Sequence, residues 1–158
     1  MRSFVRTADT ALKWGALAMT GAFIGCVVVQ IYARLFMTTA PSWTEEAARL
    51  FFVLAIAFAA GPALKRDDYV YFDFLYERLA PAWRYRLGAA IDFLTVGLFL
   101  LFLYHAVAFT AMGTVERSPT LKFPMAIAFA SMVILGASVL LYAVARLRRY
   151  VPPKDRRP

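Results

Sequence analysis

Apolar residues gather into four runs, at residues 14–36, 43–64, 88–112 and 123–145, with charged residues concentrated between and beyond them. Each run is long enough to cross a bilayer, since a hydrocarbon core of about 30 Å takes about 20 residues of helix at 1.5 Å each. Arg2, Arg6 and Lys13 precede the first run and look like the basic start of a signal peptide. The apolar stretch is too long for a signal peptide's core, and no small-x-small site closes it, so an uncleaved signal-anchor helix is expected. The second run opens on Ser42-Trp43-Thr44-Glu45, which fits a capping box. Glu45 and Glu46 lie where the helix dipole favours negative charge. Arg49 follows Glu45 by four residues, so the two can pair on one face. Gly61-Pro62 loosens the last turn before Lys65-Arg66-Asp67-Asp68. The fourth run is expected to begin near Phe123-Pro124, because proline fits a first helical turn.

Residues 69–86 differ in kind. Phe72, Leu75, Leu79, Trp83 and Leu87 recur at spacings of three or four, among Asp73, Glu77, Arg78, Arg84 and Arg86. The pattern predicts an amphipathic helix in the membrane interface between helices 2 and 3, with a charged cytosolic hairpin as the other reading. Pro81 is expected to break the segment and start a helix leading into the third run. The whole of residues 1–158 then reads as one all-α integral membrane domain.

Composition agrees with the pattern. The 158 residues are 61% hydrophobic with a mean hydropathy of +0.60, more apolar surface than a soluble domain of this length hides. The net charge of +8 raises nucleic acid as a partner. The cations flank apolar runs, however, where they orient a membrane protein and meet lipid headgroups, so nucleic acid is not expected. Of the 18 Lys and Arg residues, all but Arg34, Arg49, Arg117 and Lys122 lie in the N-terminus, the connection between helices 2 and 3, or the C-terminus. The positive-inside rule puts those three segments, and both termini, in the cytoplasm.

Candidate chemistry is sparse. Cys26 is alone and has no metal-ligand spacing around it; His105 is the only histidine, which excludes a bis-histidine haem site within this chain. Asp92 and His105 are the ionisable groups inside the third run, and such groups are functional candidates by default. Asp92 lies close enough to the end of its helix for Arg84, Arg86 or water to satisfy it, and His105 reads as a hydrogen-bonded packing residue. No catalytic triad, phosphate loop, HExxH or CxxC occurs, nor the interrupted helix pair of a secondary transporter. No catalytic, cofactor or metal site is therefore expected, and the chain is not expected to be an enzyme. Gly21 and Gly25, four apart, allow close helix approach, although such spacing is common on lipid-facing helices too. These features suit a partner subunit; an anchor or assembly subunit for a respiratory or other membrane enzyme and an autonomous small transporter are alternative readings.

The residues from Ser42 to Arg49 (Ser-Trp-Thr-Glu-Glu-Ala-Ala-Arg), followed by an apolar helix and a basic turn, resemble the W-x-E-E-x-x-R segment of the small permease subunits of TRAP (tripartite ATP-independent periplasmic) transporters, the DctQ-type family. Tyr69-Val70-Tyr71-Phe72-Asp73-Phe74-Leu75 is similar to that family's H-I-x-V-D-x-L stretch, and Ser118-Pro119-Thr120-Leu121-Lys122-Phe123-Pro124 to its polar stretch before the fourth helix. Tyr69 replaces the family's frequent histidine, so no role of that histidine carries over. The resemblance implies a bacterial inner-membrane subunit that supports a large, sodium-driven permease and helps a periplasmic substrate-binding protein deliver an organic acid. It also implies a structural and interface role for Trp43, Glu45, Glu46 and Arg49, and matches Asp73 to the family's acidic position. With Gly21 and Gly25, these are the candidate contact residues, and lipid, the large permease and the binding protein are the expected partners.

Overall fold

A computed structural model describes residues 2–37, 41–66 and 81–147 of the chain. Four helices account for most of them: α1 (Arg2–Phe36), α2 (Ser42–Arg66), α3 (Pro81–Met112) and α4 (Ala126–Leu147). Each contains a stretch long and apolar enough to cross a membrane: Thr7–Phe36, Ser42–Lys65, Arg86–Met112 and Ala126–Leu147. The described residues hold no strand, only an isolated antiparallel bridge between Arg117 and Pro124.

Two helices extend beyond the apolar runs that predicted them. No proline or glycine interrupts residues 2–13, so α1 starts at Arg2 rather than at residue 14. α3 starts at Pro81, whose missing N–H costs nothing in a first turn. Its opening turns absorb residues 81–86 of the expected interfacial helix, and the Arg86 guanidinium sits 5.7 Å from the Trp83 ring centroid. Residues 69–80 of that expected helix lie outside the described residues. α4 instead starts later than expected, at Ala126. Phe123 and Met125 are held by the preceding loop, where the Ser118 amide donates to the Phe123 carbonyl and the Met125 amide to the Glu116 carbonyl, both at 2.9 Å.

The helices lie side by side in the order α1–α2–α4–α3, with α1 on α2, α2 on α4 and α4 on α3 as the main contacts. Small residues set the spacing. A side chain at Gly61 of α2 would collide with Ser138 and Tyr142 of α4, and one at Gly136 of α4 would press on Phe102 of α3. Ala47, Ala48, Ala57, Ala106 and Ala143 are buried with them, as expected where association rests on close packing rather than on expulsion of water. Ring contacts tie the outer helices to the inner pair, Phe23 to Phe52 at 5.3 Å and Phe109 to Phe129 at 4.4 Å. Large apolar side chains such as Leu17, Val28, Phe93 and Leu101 remain exposed on the flanks. This is the surface of a protein whose solvent is hydrocarbon.

Candidate functional site: two polar ties and an open face

Antiparallel succession brings the start of α1, the end of α2, the start of α3 and the end of α4 to one end of the molecule, here the basic end. Asp9 of α1 is 7% exposed there. Its carboxylate accepts from Lys13 Nζ at 2.7 Å, one turn on, and from Lys65 Nζ of α2 at 2.9 Å. The Tyr142 hydroxyl of α4 donates to its other oxygen at 3.3 Å. One carboxylate thus joins three helices. Asp92 of α3, 5% exposed, faces Arg146 Nε of α4 at 3.5 Å, and Arg146 Nη1 reaches the Leu64 carbonyl of α2 at 3.5 Å. A cation beside Asp92 therefore comes from α4, a partner more than fifty residues away that sequence proximity did not suggest. Neither buried carboxylate is isolated, which removes the main cost of placing a charge at membrane depth.

The opposite end, carrying the end of α1, the start of α2 and the loop 113–125, is organised around Glu46. Its carboxylate accepts from the Ser118 hydroxyl and from the backbone amides of Thr120 and Leu121, at 3.1 and 2.9 Å. Two successive amides converging on one carboxylate form an anion-binding concavity. Lys122, next in the loop, has φ 54°, the left-handed region that a non-glycine residue enters only when its surroundings hold it there. Arg117 Nη1 donates to the Lys122 carbonyl at 3.3 Å, closing the loop from the other side. At the start of α2 the fully buried Thr44 donates its hydroxyl to the Pro41 carbonyl at 2.7 Å.

The remaining residues singled out by sequence are dispersed. Glu45 accepts from Arg34 of α1 at 3.2 Å rather than from Arg49, and both partners are exposed. Trp43 and Arg49 are exposed, and Arg49 has no ion pair among the described residues. Gly21 and Gly25 point outward from α1, with nothing beyond their own stretch of helix backbone within 4 Å of where a Cβ would stand. Cys26 is free and half-buried, and Asp73 lies outside the described residues. His105 is exposed on α3, its ring edge-on to Tyr104 at 5.2 Å, and not enclosed by packing as the sequence suggested. Asp9 was not singled out by sequence at all. The signal was present: Lys13 stands four residues after it, and an acid among the N-terminal cations calls for a partner.

Two grooves meet on one face at the loop end. One, of about 520 Å³ between α2 and α4, runs past Glu45, Arg49, Leu50, Val53 and Phe129. The other, of about 350 Å³ between α3 and α4, is lined by Phe102, His105, Phe109 and Met112. Met132 of α4 lines both. Among the described residues no group of acidic, His and Cys side chains is placed to hold a metal ion.

The four apolar helices fit a membrane protein, and the sequence motifs resemble those of a transporter's small permease. The family model described as "Tripartite ATP-independent periplasmic transporters, DctQ component" matches residues 23–152. The chain belongs to the DctQ family. Among curated proteins none matches it. A DctQ chain is the small membrane component of a tripartite transporter, whose other parts are a large permease and a binding protein. The match spans the Glu46 tie, the Asp92–Arg146 pair and both grooves, leaving only the first part of α1 and the last residues of the chain outside it.

Proposed function

We propose that this DctQ chain is the non-catalytic small subunit of a sodium-coupled transporter that imports an organic acid, supporting the large permease in the bacterial inner membrane and helping it receive the periplasmic binding protein. The observation that carries the reading is the use of the buried charge. Asp9 is taken by Lys13, Lys65 and Tyr142, and Asp92 by Arg146, so both acids brace helices against one another. A rigid support suits this arrangement. The basic end faces the cytoplasm in this reading, by the excess of Lys and Arg in the segments attached to it. The loop end, with Glu46 and the 113–125 loop, then faces the periplasm, where the binding protein arrives. Trp43, Arg49 and the outward-facing Gly21 and Gly25 are proposed contacts with other subunits, Trp43 also as an interfacial anchor. Asp73 and the amphipathic segment at 69–80 are proposed to hold the subunit at its depth in the membrane.

The test is reconstitution. Liposomes containing the large permease, this chain and the binding protein are expected to accumulate an organic acid when a sodium gradient is imposed. Omission of this chain is expected to abolish uptake; undiminished uptake without it removes the requirement. Replacing Glu45 and Glu46 together with Ala is expected to weaken assembly or uptake more than loss of one helix cap explains, and unchanged assembly and uptake reduces the pair to capping.

A further inference from the structure

We propose that the face shared by α2, α4 and α3 at the loop end seats one transmembrane helix of the large permease, which presents a carboxylate to Arg49 and a hydrogen-bonding group to His105. This rests on the small-subunit reading above and adds which face is used and what chemistry meets it.

The argument begins with two polar groups that the chain itself does not satisfy. Arg49 is exposed on α2 without an ion pair among the described residues, because Glu45, one turn earlier, is turned toward Arg34. His105 is exposed on α3, and among the described residues its ring nitrogens have no hydrogen-bond partner. Both lie seven residues from the loop end of their helices, one counted from Ser42 and the other from Met112. At 1.5 Å per residue each is about 10 Å inside that end. They share a level. They share a face as well, since Met132 lines both the Arg49 groove and the His105 groove.

The occupant follows from depth and polarity. Arg49 can snorkel to a phospholipid headgroup. An imidazole facing acyl chains at His105 has nothing to donate to or accept from, and hydrocarbon leaves such a group unsatisfied. A protein helix supplies what lipid does not: a side-chain oxygen or nitrogen at that depth and, near it, an anion for the guanidinium. The apolar walls of Leu50, Val53, Phe109 and Met132 give the rest of such a helix its packing surface. By contrast, the outward strip of α1 at Gly21 and Gly25 is small and apolar, and lipid covers it as well as a helix does.

The test uses the full chain co-expressed with its large permease. A photo-crosslinking residue placed at Met132 or Phe109, both on this face, is expected to capture the large permease. The same residue at Val107 is expected not to, because Val107 is two residues and about 200° around α3 from His105 at nearly the same depth. His105→Leu, which suits lipid, is expected to reduce the permease recovered with this chain about five- to tenfold, as loss of an interhelical hydrogen bond predicts. His105→Gln is expected to retain most of it. Capture from Val107 alone, capture of phospholipid alone from Met132, or recovery with His105→Leu equal to wild type overturns the proposal while leaving the subunit reading intact. Failure of the unmodified chain to recover any large permease removes both. Crosslinking is read in chains with His105 in place, so a misfolded substitution does not shelter the idea.

Discussion

Glu46 fixes a loop that lies more than seventy residues away in sequence. Its carboxylate is the acceptor for two adjacent amides and a buried hydroxyl, and the left-handed backbone of Lys122 follows directly after them. Glu46→Ala leaves those donors without their acceptor, and the turn loses what holds it in an unfavourable conformation. Amide exchange at Thr120 and Leu121 is expected to accelerate about tenfold or more, with α1 unaffected, when followed by hydrogen–deuterium exchange. Protection equal to wild type removes this role. Sequence alone showed Glu46 beside a helix start, where the dipole already accounts for an acid, so nothing local demanded a second partner. The same limit applied to Glu45, whose nearest cation in sequence on the same face is Arg49 and whose partner in space is Arg34.

Between helices, the two buried carboxylates act as cross-braces. Asp92→Ala is expected to destabilise the fold by about 2–4 kcal/mol, because it strips the half-buried Arg146 of its buried counter-charge. In a double-mutant cycle with Arg146→Ala, the coupling is expected to be about 1–2 kcal/mol, read from unfolding in mixed micelles. Strict additivity shows that the 3.5 Å pair contributes nothing of its own. The four helices were legible from sequence because a span must be apolar for about 20 residues whatever it packs against. Which side of each helix packs inward was not. In a soluble helix, polar residues mark the outside; in a bilayer both sides are apolar, and the amphipathic signal fades. Hence Gly21 and Gly25, which carry the recognisable spacing, face outward, while Gly61 and Gly136 make the close crossings. His105 escaped for the same reason, since an apolar context does not distinguish a packed histidine from an exposed one.

For the molecule as a whole, the distribution of Lys and Arg sets a testable orientation. In a Cys26→Ala background, a membrane-impermeant thiol reagent applied from the periplasmic side is expected to label Val115→Cys, whose position is 85% exposed in the loop at the far end from the basic segments. Lys154→Cys is expected to stay unlabelled until the membrane is breached. The opposite pattern inverts the subunit. The lateral order α1–α2–α4–α3 has a further consequence, for how the chain is made. Each half is a hairpin of sequence neighbours, and the halves meet along the α2–α4 seam, fastened by Asp9 with Tyr142, by Arg146 with the Leu64 carbonyl, and by Glu46 with the 113–125 loop. Among the described residues no helix threads between the two helices of the other half. The protein is thus a heterodimer of hairpins written as one polypeptide, and translation need not be continuous across the join. Two fragments divided after Arg66 and expressed together are expected to insert independently and copurify, with recovery falling when Glu46→Ala is placed in the first.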